Sequence, residues 1–194
     1  MKCIGLTAAL CIALLLAGCA TSPSARFYTL DSAPGEPRGE TGDVVIGLRP
    51  LTFPEYLNRP QIVTRTDGSE LKLAEFDRWA EPVDQSFNRV LAGSIDDALE
   101  SAVVLVFPDT MNIPIDIRVV GRVFRFDTDS DGTAVLDVQW GAGDGKKQIF
   151  VAPRRSRYEA KASNPNNFNA IVGALNETVQ ALSKDMAEAL VAIR

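Results

Sequence analysis

The chain has 194 residues, a formal net charge of −5, no histidine, and three cysteines, Cys3, Cys11 and Cys19. Lacking histidine, it has no Ser-His-Asp or Cys-His nucleophile system, no His-ligated zinc and no histidine pH switch. Its mild acidic excess argues against a nucleic-acid partner.

Taken in order, the chain opens on Lys2 and an apolar run of 13 residues from Ile4 to Leu16, short of the ~20 that span a bilayer. The run ends in Leu16-Ala17-Gly18-Cys19, the form of a bacterial lipobox. Small residues at Ala17 and Gly18 let the backbone lie in a peptidase cleft. Cleavage before Cys19 leaves a thiol that takes a thioether-linked diacylglycerol, and a second acyl signal makes such an anchor stable. Residues 1–18 therefore read as a signal peptide, and losing Lys2 moves the formal charge from −5 to −6. Cys3 and Cys11 leave with the signal peptide and Cys19 is consumed by lipid, so no disulfide or cysteine-based metal site is expected. Ala20 follows, not the aspartate that retains similar lipoproteins in the inner membrane, so the expected location is the outer membrane, facing the periplasm. Residues 19–25 read as a lipidated tether, its six residues after the cysteine reaching about 20 Å when extended. Residues 26–194 suit one domain.

Arg26-Phe27-Tyr28-Thr29-Leu30 reads as a short strand, residues 31–43 as a mobile Pro/Gly-rich loop, and residues 44–49 as a second strand. Pro50 and Pro54 break the ladder before an irregular turn over residues 53–57. Residues 59–65 and 70–73 form a hairpin around Asp67-Gly68, with Pro60 marking an edge or a strand start. After Pro82 the apolar positions Val83, Phe87, Leu91, Ile95 and Leu99 recur at helical spacing. Residues 103–107 carry no polar side chain, which predicts a buried strand. The next strand, over residues 113–127, puts Ile115, Ile117, Val119 and Val123 on one face. Phe124 and Phe126 then fall on the other, which calls for a cover there or a bulge near Gly121. Ala134, Leu136, Val138 and Trp140 alternate in the following strand, Gly141–Gly145 reads as a turn, and residues 148–162 form a third meander strand interrupted at Pro153. A terminal helix starts after Asn164-Pro165 and carries the stripe Phe168, Ile171, Leu175, Val179, Leu182, Met186 and Leu190. The expected fold class is α+β: a single domain with a largely antiparallel or mixed sheet and two long helices on one face.

Asp127-Thr128-Asp129-Ser130-Asp131-Gly132 matches the first half of a calcium loop, but Val138 stands where the bidentate glutamate is needed. The better reading is a solvated hairpin turn, so no metal or other cofactor is expected. The basic run Lys146, Lys147, Arg154, Arg155 and Arg157 reads as a solvated strand face, with lipid headgroups or an acidic partner as the alternative.

Two stretches carry a family likeness. Tyr56-Leu57-Asn58-Arg59-Pro60-Gln61-Ile62-Val63-Thr64-Arg65 and Leu73-Ala74-Glu75-Phe76-Asp77-Arg78-Trp79-Ala80-Glu81-Pro82 strongly resemble the ABC-type transport auxiliary lipoproteins of the PqiC/YmbA type. The lipobox, the early Phe-Tyr-Thr-Leu strand and the Leu182–Ala187 segment of the last helix support it. The resemblance implies an α/β sandwich similar to the N-terminal domain of TolB, and a non-enzymatic adaptor without a catalytic site. It also implies an MCE-domain envelope protein as partner in a transport system linked to lipid traffic and envelope integrity. A homo-oligomer is a further mode of association. On the residues, Arg59, Gln61 and Arg65 present planar donors along a strand edge, and Tyr56, Arg78 and Trp79 are types enriched at binding hot spots. Trp79 equally fits a plug in the core. Two other functional classes stand beside it: a lipid carrier, which needs an apolar cavity between sheet and helices, and an envelope hydrolase using two carboxylates, which the lack of histidine and of a free cysteine disfavours.

Overall fold

The computed structural model describes residues 23–31, 39–66, 68–107, 113–144 and 148–193. The expected signal peptide, Cys19, Lys146 and Lys147 lie outside them. Eight strands form one mixed sheet: β1 (Arg26–Tyr28), β2 (Gly39–Leu48), β3 (Gln61–Arg65), β4 (Leu71–Trp79), β5 (Leu99–Val106), β6 (Ile117–Thr128), β7 (Thr133–Gly143) and β8 (Ile149–Lys161). Two helices complete the fold, α1 (Val83–Ala98) and α2 (Phe168–Val191). This is the α+β single domain that periodicity predicts.

The sheet branches at β6. One edge of β6 pairs along its length with β7, and β7 with β8, in an antiparallel meander. The other edge is shared. β2 pairs in parallel with Ile117–Val119, the segment around Thr52 bridges Arg122, and β3 meets Thr128 at the far end. Beyond β2 lies β5, and beyond β3 lie β4 and β1.

The core fills the space between the sheet and the helices. Phe53, Phe87 and Phe126 meet edge to face, with ring centroids 5.1–6.2 Å apart, the geometry aromatic quadrupoles prefer. Trp140, Leu136, Leu175, Leu182 and Met186 are fully buried around them. α2 begins at Asn167, whose side-chain oxygen accepts from the Asn169 and Ala170 N–H groups, satisfying donors a helix start leaves open.

Five expectations need correction. β5 is not buried: it pairs only with β2 among the described residues, and Val103 and Val106 are 51% and 39% exposed. β2 begins at Gly39, inside the stretch expected to be loop, with a register irregularity between Glu40 and Val44. Gly141 and Gly143 belong to β7 and not to a turn. They are small because β8 crosses close by: a Cβ at Gly143 would lie 2.5 Å from the Gln148 carbonyl oxygen. Finally, β6 bulges at Phe124 and not near Gly121, since Val123 faces Val138 and Arg125 already faces Asp137. The extra residue brings Phe126 back to the core side. The break expected at Pro153 is likewise a bulge: Trp140 faces Arg154 and Ala142 faces Val151, so β8 runs on through the proline.

Candidate functional site

The face of the sheet away from the helices is where the polar chemistry gathers. β6–β7 register places Arg118, Val120, Arg122, Arg125 and Asp127 there, opposite Gly143, Gly141, Gln139, Asp137 and Val135. At the end of β6, Asp127 is fully buried (0% exposed). Arg65 Nε donates to both its oxygens at 3.0 Å, Arg125 Nε donates at 2.6 Å, and the Tyr56 hydroxyl donates at 2.9 Å. Arg125 also reaches Asp129 at 2.5 Å, and the Arg65 guanidinium lies 5.5 Å from the Tyr56 ring centre. A buried carboxylate is tolerable only when paired and hydrogen-bonded in this way. Its neighbour in the turn, Asp131, accepts from Lys161 Nζ at 2.6 Å, which with backbone and Thr133 hydrogen bonds holds its carboxyl down to about 2. The carboxylates of the calcium-like motif are thus spent on arginine and lysine. The turn closes at Gly132, whose φ of +82° suits glycine.

The predicted site residues divide. Tyr56 and Arg65 sit together in the Asp127 knot. Gln61 and Arg78 face each other across the β3–β4 pair, with Arg78 Nε donating to the Glu75 carbonyl at 3.2 Å. Arg59 stands apart, its Nε buried without a hydrogen-bond partner. Trp79 is 6% exposed and belongs to the hydrophobic core, while its backbone N–H donates to the Pro60 carbonyl at 2.7 Å. Of the basic run, Arg155 pairs with Asp137 and stacks 4.3 Å from the Phe124 ring centre. Arg154 pairs with Asp185 and covers Trp140 at 4.9 Å. Arg157 pairs with Glu159.

Sequence reasoning missed a second buried carboxylate, Asp77, which secures β1 at the start of the sheet. Arg26 donates to it twice, at 2.7 and 2.8 Å, and the Tyr28 hydroxyl donates at 2.7 Å. The Arg26 hydrogen bonds hold the Asp77 carboxyl below its usual range. Together with the Ala80 N–H to Tyr28 carbonyl bond of 2.8 Å, this clamps β1 to β4 immediately after residue 25. The only signal in the sequence was Asp77 itself, an acidic residue on the buried side of a strand.

A family model for the ABC-type transport auxiliary lipoprotein component matches residues 28–187. The chain belongs to that family. The intermembrane transport lipoprotein PqiC of Escherichia coli (strain K12) is 25% identical over 136 residues, which cover 66% of this chain and 68% of that one. The fold recurs in a crystal structure of a Xanthomonas campestris protein, with a TM-score of 0.73, 15% identity, and 87% and 96% of the two chains covered. A crystal structure of an uncharacterized protein gives a TM-score of 0.72 at 19% identity, covering 85% and 97%. The matched stretch of this transport auxiliary lipoprotein takes in the Asp127 knot, Tyr28 and Asp77 of the clamp, and both motif stretches. Among the described residues no helix is long and apolar enough to cross a membrane.

All three tyrosines of the domain sit beside carboxylates. Burial and then Asp127 push the Tyr56 phenol up to about 12. Burial and then the Asp185 hydrogen bond raise Tyr158 to about 12, and burial followed by Asp77 raises Tyr28. A phenol whose pKa is raised on folding gives stability that is complete below the unfolded value of about 10 and is lost as pH climbs through the folded value. The expected result is a flat stability profile up to about pH 10, then a decline toward pH 12. Phenolate absorbance should rise together with loss of the far-ultraviolet dichroism; an ordinary titration near pH 10 in the folded state contradicts it.

Proposed function

We propose that this chain is a non-enzymatic adaptor, anchored by a lipid on Cys19 to the outer membrane and facing the periplasm, that holds an MCE-domain transport protein. The observation that carries this reading is the family match over residues 28–187, joined to a lipobox that ends seven residues before β1. A tether this short keeps the domain within about 20 Å of the bilayer. The Asp77 clamp then passes any pull on the anchor directly into the sheet. The partner surface takes Gln61 and Arg78, which face each other across β3–β4, together with Arg59, whose Nε has no hydrogen-bond partner among the described residues, as planar donors, while Tyr56 and Arg65 are held in the Asp127 knot. Trp79 supports that surface from below.

The carrier reading has no comparable support, because Phe53, Phe87, Phe126 and Trp140 fill the space between sheet and helices. Homo-oligomerisation remains part of the proposal through β5, whose outer edge is unpaired among the described residues and offers a strand for addition.

Replacing Cys19 with alanine tests the anchor. The wild-type chain should sediment with outer membranes after density separation, and Cys19→Ala should move the protein to the soluble periplasmic fraction. Membrane association that survives the substitution would remove the lipid from the argument. The partner is tested by recovery from crosslinked envelopes, with Arg59, Gln61 and Arg78 substituted in turn.

A further inference from the structure

Seven large apolar side chains are exposed among the described residues, and they fall in two places. Val103, Val106, Val120 and Ile149 lie by register around the start of β6. The other three lie on β1 and β4, the first strand of the domain and its neighbour. Phe27 is 64% exposed, Leu73 40% and Phe76 36%. A cluster of this kind on a soluble face marks a contact surface.

Register turns these side chains outward. Arg26 and Tyr28 both bind Asp77, and the Tyr28 ring meets Phe168 of α2. Alternation therefore sends Phe27 to the open face, in one row with Arg78 and Gln61. Leu73 pairs with Val63, two positions along β3 from Gln61, and so shares that face. Between those two pairs β3 advances two residues and β4 five. The surplus is a bulge that contains Glu75 and Phe76, both exposed. Beside it, the outer edge of β4 over residues 71–76 has no partner strand among the described residues.

The occupant follows from where the chain goes. β1 runs parallel to β4 with Arg26 opposite Asp77, so the chain enters β1 from the end at which β4 starts. Cys19 stands eight positions before Phe27. A lipid on it keeps the bilayer within roughly 30 Å of that ring even at full extension. On these two strands Arg26, Lys72 and Arg78 stand against Glu75 and the buried Asp77. In an acidic chain, this edge thus carries no net negative charge toward anionic headgroups.

We propose that Phe27, Leu73 and Phe76 rest in the interface of the bilayer that holds the anchor, their apolar side chains among the headgroups and upper acyl chains. The contact rests on the anchor reading and deepens it, because it fixes which edge of the sheet faces the membrane. No lipid leaves the bilayer. Gln61, in the same row as Phe27, is then presented at the membrane surface.

The test uses the full-length chain, purified with its lipid and reconstituted in vesicles of phosphatidylethanolamine and phosphatidylglycerol. With Cys19 acylated and the signal peptide removed, a single introduced cysteine is the only free thiol and takes a nitroxide label. Labels are placed by Phe27→Cys, Leu73→Cys or, as control, Lys184→Cys at an exposed position of α2. Electron paramagnetic resonance then compares collision with oxygen, which enters bilayers, and with a nickel chelate, which does not. The oxygen-to-nickel ratio should rise several-fold on reconstitution at positions 27 and 73 and stay at its aqueous value at 184. Adding Phe27→Asp should return the label at 73 toward the aqueous value with no change in melting temperature, since Phe27 is exposed. Aqueous ratios at 27 and 73 on a lipidated, attached chain would overturn the contact alone and leave the patch to a protein partner. A mature chain whose intact mass shows no lipid on Cys19 would overturn the anchor and this contact with it.

Discussion

Replacing Asp127 with alanine should destabilise the domain by about 3–5 kcal/mol, the usual cost of removing one partner from a buried ion pair. The carboxylate is fully buried and receives four hydrogen bonds, from Arg65, Arg125 and Tyr56. Alanine would leave two guanidinium groups facing each other over a hole, their side chains only 21% and 17% exposed. Asp127→Asn, which keeps acceptors but loses the charge, should fall between alanine and wild type. Urea unfolding followed by circular dichroism reads all three. An alanine variant within about 1 kcal/mol of wild type, the range of a surface ion pair, would show that solvent screens the knot.

Phe126→Ala should cost a comparable 3–5 kcal/mol, through lost burial and the cavity left behind. Phe126 is packed edge to face against Phe53 and Phe87 and joins β6, α1 and the segment before the 3₁₀ turn at Glu55–Leu57. Phe126→Leu keeps most of the volume and should lose less than half as much. The same unfolding experiment distinguishes this from a solvent-exposed residue of the open face, such as Arg122, where truncation to alanine would scarcely register.

Phe126 and Asp127 also show where the sequence stopped being legible. Strict alternation from Val123 would put Phe126 on the open face and Asp127 in the core. One extra residue at Phe124 reverses both, and a bulge of that kind has no local signature beyond the conflict it resolves. Where the environment was uniform, periodicity sufficed. The stripe of α2 and the alternation of Ala134, Leu136, Val138 and Trp140 were legible because each element turns an unbroken apolar row to the core. β5 misled because an apolar run does not say how many neighbours a strand has. The length of β4 was hidden by Asp77, which is buried only because Arg26 and Tyr28, about fifty positions earlier, neutralise it. Gly141 and Gly143 looked like a turn because the constraint on them comes from the backbone of β8. Of the candidate site residues, Tyr56 and Arg65 were named from the sequence, but the carboxylate that unites them was read as part of a calcium-like loop.

The most direct measurement is affinity recovery of the full-length, tagged lipoprotein from crosslinked envelopes, read by mass spectrometry, beside a variant carrying Arg59→Ala, Gln61→Ala and Arg78→Ala. Capture of an MCE-domain protein by the wild type, lost in a variant that keeps its membrane attachment and melting temperature, is the expected outcome. Recovery of only lipid or further copies of the same chain, or equal capture by both forms, would contradict an adaptor working through this surface.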